Sequence, residues 1–227
     1  MQPNRRIEQS LERALFFAAG SGKPPGLSQA MRYAVFPGGA RIRARLCLAV
    51  AAACGAPEAP AALAAASAIE LLHCASLVHD DLPCFDDAEM RRGNPSVHLE
   101  YGVPLALLAG DALIVLAFET IARECADEPR LIGPLVATIG RAVGMPNGIV
   151  AGQGWESERD VPLAEYHRAK TAALFTGAAA CGAISAGTDP QAWYAFADAL
   201  GAAYQIADDL RDWACESDET GKPRGQD

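Results

Sequence analysis

Hydrophobic positions recur along this chain at helical spacing, and in several stretches they merge into runs with no polar face. From Ile7 to Ala19, Leu11, Leu15 and Ala18 fall on one side and Glu8, Glu12 and Arg13 on another, the pattern of an amphipathic helix that packs, as at a subunit interface. A Gly- and Pro-rich loop over 20–26 separates it from a second helix, Leu27 to Phe36. The run from Ala61 to Val78 holds no Gly or Pro and is dominated by Ala, Leu and Ile, so it predicts a long buried helix. Pro104 to Cys125 is apolar nearly all round and predicts another, with Asp111 inside it needing a partner. Leu131 to Val143 and the apolar run leading to Asp208 complete a series of helices.

Composition narrows this to an all-α fold. Aromatic residues are only 7% of the chain and alanine dominates, which favours closely packed helices over sheet. At 227 residues and 51% hydrophobic, the chain suits one domain over 1–227 with one large core. The net charge of −9 argues against nucleic acid and against an anionic membrane surface. The seven cysteines lie singly, without Cys-x-x-Cys or zinc spacing, as suits a reduced cytoplasm. No signal-peptide core is expected after Met1, and no apolar run is expected to span a bilayer.

Charge then picks out one stretch. Asp80-Asp81-Leu82-Pro83-Cys84-Phe85-Asp86-Asp87 follows directly on the long apolar helix, and Arg91-Arg92-Gly93 follows it. Pro83 lacks an N–H and would clash with the carbonyl of His79, so the helix should stop or bulge near Leu82. On an unbroken helix Asp80 and Asp86 would face opposite ways; a bulge lets both turn to one side. Two carboxylates about 4 Å apart repel by roughly 4 kcal/mol at an effective dielectric of about 20. Carboxylates at a helix C-terminus also oppose its dipole. A lone Asp pair is ordinarily a solvated acidic turn, but a hard cation between the carboxylates removes both penalties, and oxygen-only ligands point to Mg²⁺.

A second acidic cluster, Gln205-Ile206-Ala207-Asp208-Asp209-Leu210-Arg211-Asp212, ends another apolar run far down the chain. Asp208 and Asp212 are four apart and share a helix face, with Asp209 a step round. Two such helix ends can face each other across a cavity and hold metal ions between them. Pro37-Gly38-Gly39-Ala40-Arg41-Ile42-Arg43 is another candidate, because free N–H groups at a helix start and nearby guanidiniums suit an anion.

Together the two aspartate motifs and the intervening Arg91-Arg92-Gly93 resemble the trans-isoprenyl diphosphate synthase family, over about residues 31–227. The resemblance implies the isoprenoid synthase helical bundle around a central cavity, a homodimer, and chain elongation in which about three Mg²⁺ ions hold an allylic diphosphate. It implies Asp80, Asp81, Asp86, Asp208, Asp209 and Asp212 as metal ligands. Substrate contacts fall to Arg43, His73, Arg91, Arg92, Lys170, Thr171, Gln205 and Lys222, with Arg91, Lys170 and Lys222 on the allylic diphosphate (dimethylallyl, geranyl or farnesyl). Arg43, His73 and Arg92 go to isopentenyl diphosphate. Ala40 departs from the family's Gly-Gly-Lys-Arg-x-Arg segment, leaving Arg43, and in part Arg41, to replace a missing cation. Trp155 and Glu156, after Gln153, are less typical of the family at large and resemble members from carotenoid-making bacteria. Family members usually continue through further C-terminal helices.

The residues under the first aspartates bear on product length. Ala75 and Ser76 lie one turn before Asp80, where relatives that stop at fifteen carbons tend to carry an aromatic floor. The small Ala75 leaves room for the twenty-carbon product, geranylgeranyl diphosphate, and Ala75→Tyr should shorten it. A farnesyl diphosphate synthase with its floor elsewhere, a terpene cyclase and a non-catalytic synthase subunit are the competing readings.

Overall fold

The computed structural model describes residues 3–20, 24–36 and 38–214, with Asp209 and 211–214 described by backbone alone. The chain runs through α1 (Pro3–Ala18), α2 (Pro25–Val35), α3 (Ile42–Ala53) and α4 (Pro60–Asp80). A hairpin of two short strands, β1 (Met90–Arg91) and β2 (Asn94–Pro95), leads to α5 (Val97–Tyr101), α6 (Val103–Glu124) and α7 (Pro129–Val143). Then come α8 (Ile149–Trp155), α9 (Leu163–His167), a π-helical stretch Arg168–Ala172, α10 (Ala173–Ser185) and α11 (Gln191–Ala214). The expected all-α class holds, and the hairpin is the only strand pair among the described residues.

Pro25, Pro60, Pro104 and Pro129 fall in the first turns of α2, α4, α6 and α7, where the missing N–H would have no intrahelical partner anyway. At the centre is α4, packed against α6 on one side and α3 and α10 on the other. It is buried all round, from Ala61 through Ile69, Leu71 and Leu72 to Val78, so its sequence carries no polar stripe.

The helix expected to be buried throughout is α6, and this is corrected by the structure. Leu107, Leu108 and Val115 are 47, 49 and 67% exposed, because only one face of α6 meets α4. Asp111 lies on that open face, its side chain 60% exposed, rather than in the core. The expectation that no helix could span a bilayer is also revised: α4 and α6 are both long and apolar enough. In α4, however, 78% of the apolar window is buried inside the fold, against 44% in α6.

Two glycines let neighbouring helices close on the π-helical stretch. A Cβ on Gly152 of α8 would lie 2.6 Å from the Lys170 backbone nitrogen, and one on Gly201 of α11 would lie 2.6 Å from the Ala172 Cα. Only glycine permits both approaches.

Candidate active site

The end of α4 turns as Pro83 requires. The Asp81 and Leu82 amides donate to Leu77 and His79, and the chain then folds back until the Asp86 amide donates to the Asp80 carbonyl at 3.0 Å. That return brings Asp80 and Asp86 to one side, where Glu156, the residue capping the C-terminus of α8, meets them. One carboxylate oxygen from each of Asp80, Asp86 and Glu156 lies within 4.8 Å of the others.

The carboxylates at this corner differ in what they hold. Asp81 is 2% exposed and takes a two-pronged grip from Arg91, whose Nε lies 2.9 and 3.1 Å from its two oxygens. Burial pushes the Arg91 guanidinium down, but Asp81 outweighs it and the net shift is upward. Asp80 is 8% exposed, its Oδ2 is 3.7 Å from Arg91, and its buried Oδ1 has no hydrogen-bond partner among the described residues. A buried, unpartnered carboxylate oxygen costs on the order of 1–3 kcal/mol or more. Three hard oxygen donors round such an atom fit a divalent cation of the Mg²⁺ type.

Beside this group Glu156 accepts hydrogen bonds from the Lys170 ammonium, from the Tyr166 hydroxyl at 2.7 Å and from the Gln153 amide. Lys170 also donates to the Tyr166 oxygen at 3.1 Å. Burial lowers the affinity of Lys170 for its proton, yet the bond to Glu156 and then the charge of Asp80 reverse that, so it stays cationic. Burial, reinforced by the bond to Glu156, pushes the Tyr166 hydroxyl up to about 12.

A second corner is built of cations. Arg43 meets the His73 ring nitrogen at 3.3 Å, its guanidinium lies 4.8 Å from the Phe175 ring centre and 5.6 Å from that of Tyr204, and its Nε has no hydrogen-bond partner among the described residues. Desolvation lowers the Arg43 pKa. Burial, followed by the guanidiniums of Arg43, Arg92 and Arg91, holds His73 well below the usual imidazole range, so it is neutral. Arg92 backs onto Gly39 and occupies the hairpin turn with a φ of 54°.

Arg41 does not share that corner. It is 2% exposed, 2.9 Å from Glu8, 2.9 Å from Glu70 and 2.9 Å from the Val35 carbonyl. The suggestion that it replaces the cation missing at Ala40 is therefore corrected: its donors are spent on tying α1, α2 and α4 together.

The acidic corner and α11 meet at the π-helical stretch. Lys170 binds Glu156 on one side, while the next residue, Thr171, donates to Gln205 on α11, three residues before Asp208. Asp208 is exposed, and its charge reaches Arg43. Asp209 and Asp212 lie on α11, with side chains outside the described residues, as does Lys222 altogether. Ala75 is 1% exposed and packs in the core, and the Ser76 hydroxyl donates back to the His73 carbonyl at 2.9 Å. His79 sits 3.7 Å from Asp111, so that residue finds its partner at the α4–α6 seam. A cavity of about 620 Å³, lined by Thr138, Arg141, Trp155, Arg168 and Tyr194 among others, opens beside Ala169 and Ala173, and among the described residues no aspartate of the two motifs lines it.

Sequence reasoning passed over Glu156 and Tyr166 as site residues. The four-residue step from Tyr166 to Lys170 was the available signal for one. For Glu156 the signal was its unusual place after Gln153, but Asp80 and Asp86, at the C-terminal end of α4 and in the turn after it, reach it only through the fold.

Residues 24–227 match the polyprenyl synthetase family. The chain is 54% identical over 223 residues to a geranylgeranyl diphosphate synthase of Cereibacter sphaeroides, covering 98% of this chain and 77% of that one. It is 50% identical to the geranylgeranyl diphosphate synthase of Rhodobacter capsulatus, covering 100% and 78%. Among solved structures it resembles an FPP/GFPP synthase from Zymomonas mobilis (TM-score 0.81, 33% identity, covering 96% and 86%). A geranyltransferase from Legionella pneumophila is similar as well (TM-score 0.83, 28% identity, covering 96% and 79%).

Proposed function

The chain belongs to the polyprenyl synthetase family, and from that premise we propose that the site condenses isopentenyl diphosphate with an allylic diphosphate to make geranylgeranyl diphosphate. The high identity to two geranylgeranyl diphosphate synthases supports the twenty-carbon product. The single structural observation that supports the reading is the π-helical stretch: Lys170 binds Glu156, which meets Asp80 and Asp86, while its neighbour Thr171 binds Gln205, three residues before Asp208.

Asp80, Asp86 and Glu156, with Asp208 from α11, would hold magnesium, and bound Mg²⁺ supplies positive charge to the diphosphate as its carbon–oxygen bond breaks. Arg91 and Lys170 present fixed cations to the same leaving group. Charge that develops during bond cleavage is stabilised best by groups already in place. Arg91 is held by Asp81, and Lys170 by Glu156 and Tyr166, so neither reorganises during the step. Arg43, Arg92 and neutral His73 bind the diphosphate of isopentenyl diphosphate. Its double bond attacks the allylic carbon, forming the new carbon–carbon bond. The proton then leaves to the released pyrophosphate, so no protein base is required.

We further propose a cytoplasmic homodimer formed through the open face of α6. Its support is the run of exposed Leu107, Leu108 and Val115 on a helix only partly covered by its own fold. Incubation with radiolabelled isopentenyl diphosphate, each allylic primer in turn and Mg²⁺, followed by product sizing, tests the activity. Geranylgeranyl diphosphate is expected. Farnesyl diphosphate alone would make this a fifteen-carbon synthase, and no product at all would leave a non-catalytic subunit.

A further inference from the structure

Glu156 stands where two sets of interactions meet that the reaction uses separately. On one side an oxygen of its carboxylate is within 4.8 Å of ligand oxygens on Asp80 and Asp86. On the other it takes the Lys170 ammonium and the Tyr166 hydroxyl on Oε1, and the Gln153 amide approaches Oε2. A carboxylate offers about four lone-pair positions, enough to serve a metal ion and these donors together. A simple counter-ion for Lys170 would have no need to approach two further carboxylates, because like charges at that spacing repel. The independent sign of a missing cation is Asp80, its side chain nine-tenths buried, whose Oδ1 finds no hydrogen-bond partner among the described residues.

We infer that Glu156 is a ligand of the divalent ion held by Asp80 and Asp86 and, through the same carboxylate, the positioning residue for Lys170, so that metal occupancy and affinity for the allylic diphosphate are coupled. This rests on the synthase reading for the identity of the diphosphate. The role of Glu156 in metal binding does not depend on it. Tyr166 and Gln153 keep the carboxylate turned toward both cations, as hydrogen-bonding neighbours of metal ligands do. The side chain is 29% exposed, open enough for a metal to reach it from solvent.

The test uses the full chain with Mn²⁺ as the probe, free Mn²⁺ being followed by electron paramagnetic resonance in the presence of inorganic pyrophosphate. Glu156→Gln should weaken Mn²⁺ binding by about ten- to a hundredfold. It should also raise KM for the allylic substrate more than it lowers kcat, while Glu158→Gln, an equal loss of charge on an exposed neighbour, leaves both unchanged. Should Glu156→Gln not fold, Glu156→Asp carries the test, and a smaller loss in both measurements is expected. Mn²⁺ affinity within about twofold of the wild type would reduce Glu156 to a counter-ion and overturn the inference. Weaker Mn²⁺ binding with an unmoved allylic KM would equally overturn the coupling. Failure of the wild type to make any prenyl product would count against the synthase reading alone, because the Mn²⁺ titration needs no turnover.

Discussion

The acidic corner round Asp80 and the basic corner round Arg43 are opposite in charge and also opposite in how that charge is balanced. At the first, protein cations already meet most of the carboxylates: Arg91 holds Asp81 and Lys170 holds Glu156, and Asp80 Oδ1 is left over. At the second, the Arg43 guanidinium lies against two aromatic rings and a neutral imidazole. Aromatic faces steady a guanidinium without cancelling its charge as a carboxylate would. The proposed function uses this contrast, with one more cation at the acidic corner and an anion at the basic one. Arg41, two residues before Arg43, shows the other outcome, since Glu8 and Glu70 neutralise it and it serves the fold.

The contrast between the two arginines can be broken most forcefully at Arg41. Arg41→Met leaves Glu70 buried without its cation and should cost about 3–5 kcal/mol of stability, read from chemical denaturation. A variant as stable as the wild type would mean that Arg41 is not the strut described. At the acidic corner, Asp80→Asn keeps the shape but removes the charge of the unpartnered oxygen. It should lower kcat by about a hundred- to a thousandfold, with the circular dichroism spectrum unchanged. Retained activity would place the metal elsewhere.

Arg43→Gln probes the basic corner directly. Loss of a charged hydrogen-bond donor to a diphosphate is worth about 1.5–3 kcal/mol, so KM for isopentenyl diphosphate should rise by roughly ten- to a hundredfold. KM for the allylic substrate should move little, and an equal rise in both would erase the division between the corners. The smallest effect concerns His73. Its folded pKa lies below the unfolded value of about 6.5, so the folded protein binds fewer protons there. The stability this contributes is present in full above about pH 6.5 and is lost as the pH falls below it, at no more than about 1.4 kcal/mol per pH unit. His73→Gln should flatten that part of the stability profile, and an unchanged slope would mean that His73 titrates normally.

Much of this architecture was legible in the order of residues. Unbroken apolar runs marked α4 and α6, and Pro83 marked the turn that brings Asp80 and Asp86 together, because helix propensity and the missing proline N–H act over a few residues. The same reading erred where an apolar run says nothing of how many neighbours a helix will meet. It buried all of α6, although its Leu107, Leu108 and Val115 face outward. It also left Arg41 and Arg43 with similar duties, although Glu8 from α1 and Glu70 from α4 accept hydrogen bonds from the first.

Local chemistry along the chain therefore settled the long apolar helices, the break at Pro83 and the kinds of charge gathered at helix ends, since those depend on contacts only a turn or two apart. Packing alone decided which charges are matched. Glu156 joins Asp80 across a separation of 76 residues, and Thr171 meets Gln205 only because Gly152 and Gly201 let two helices close on the strip between them. Coulomb and hydrogen-bond energies depend on distance in space, which the order of residues does not specify until the core has assembled.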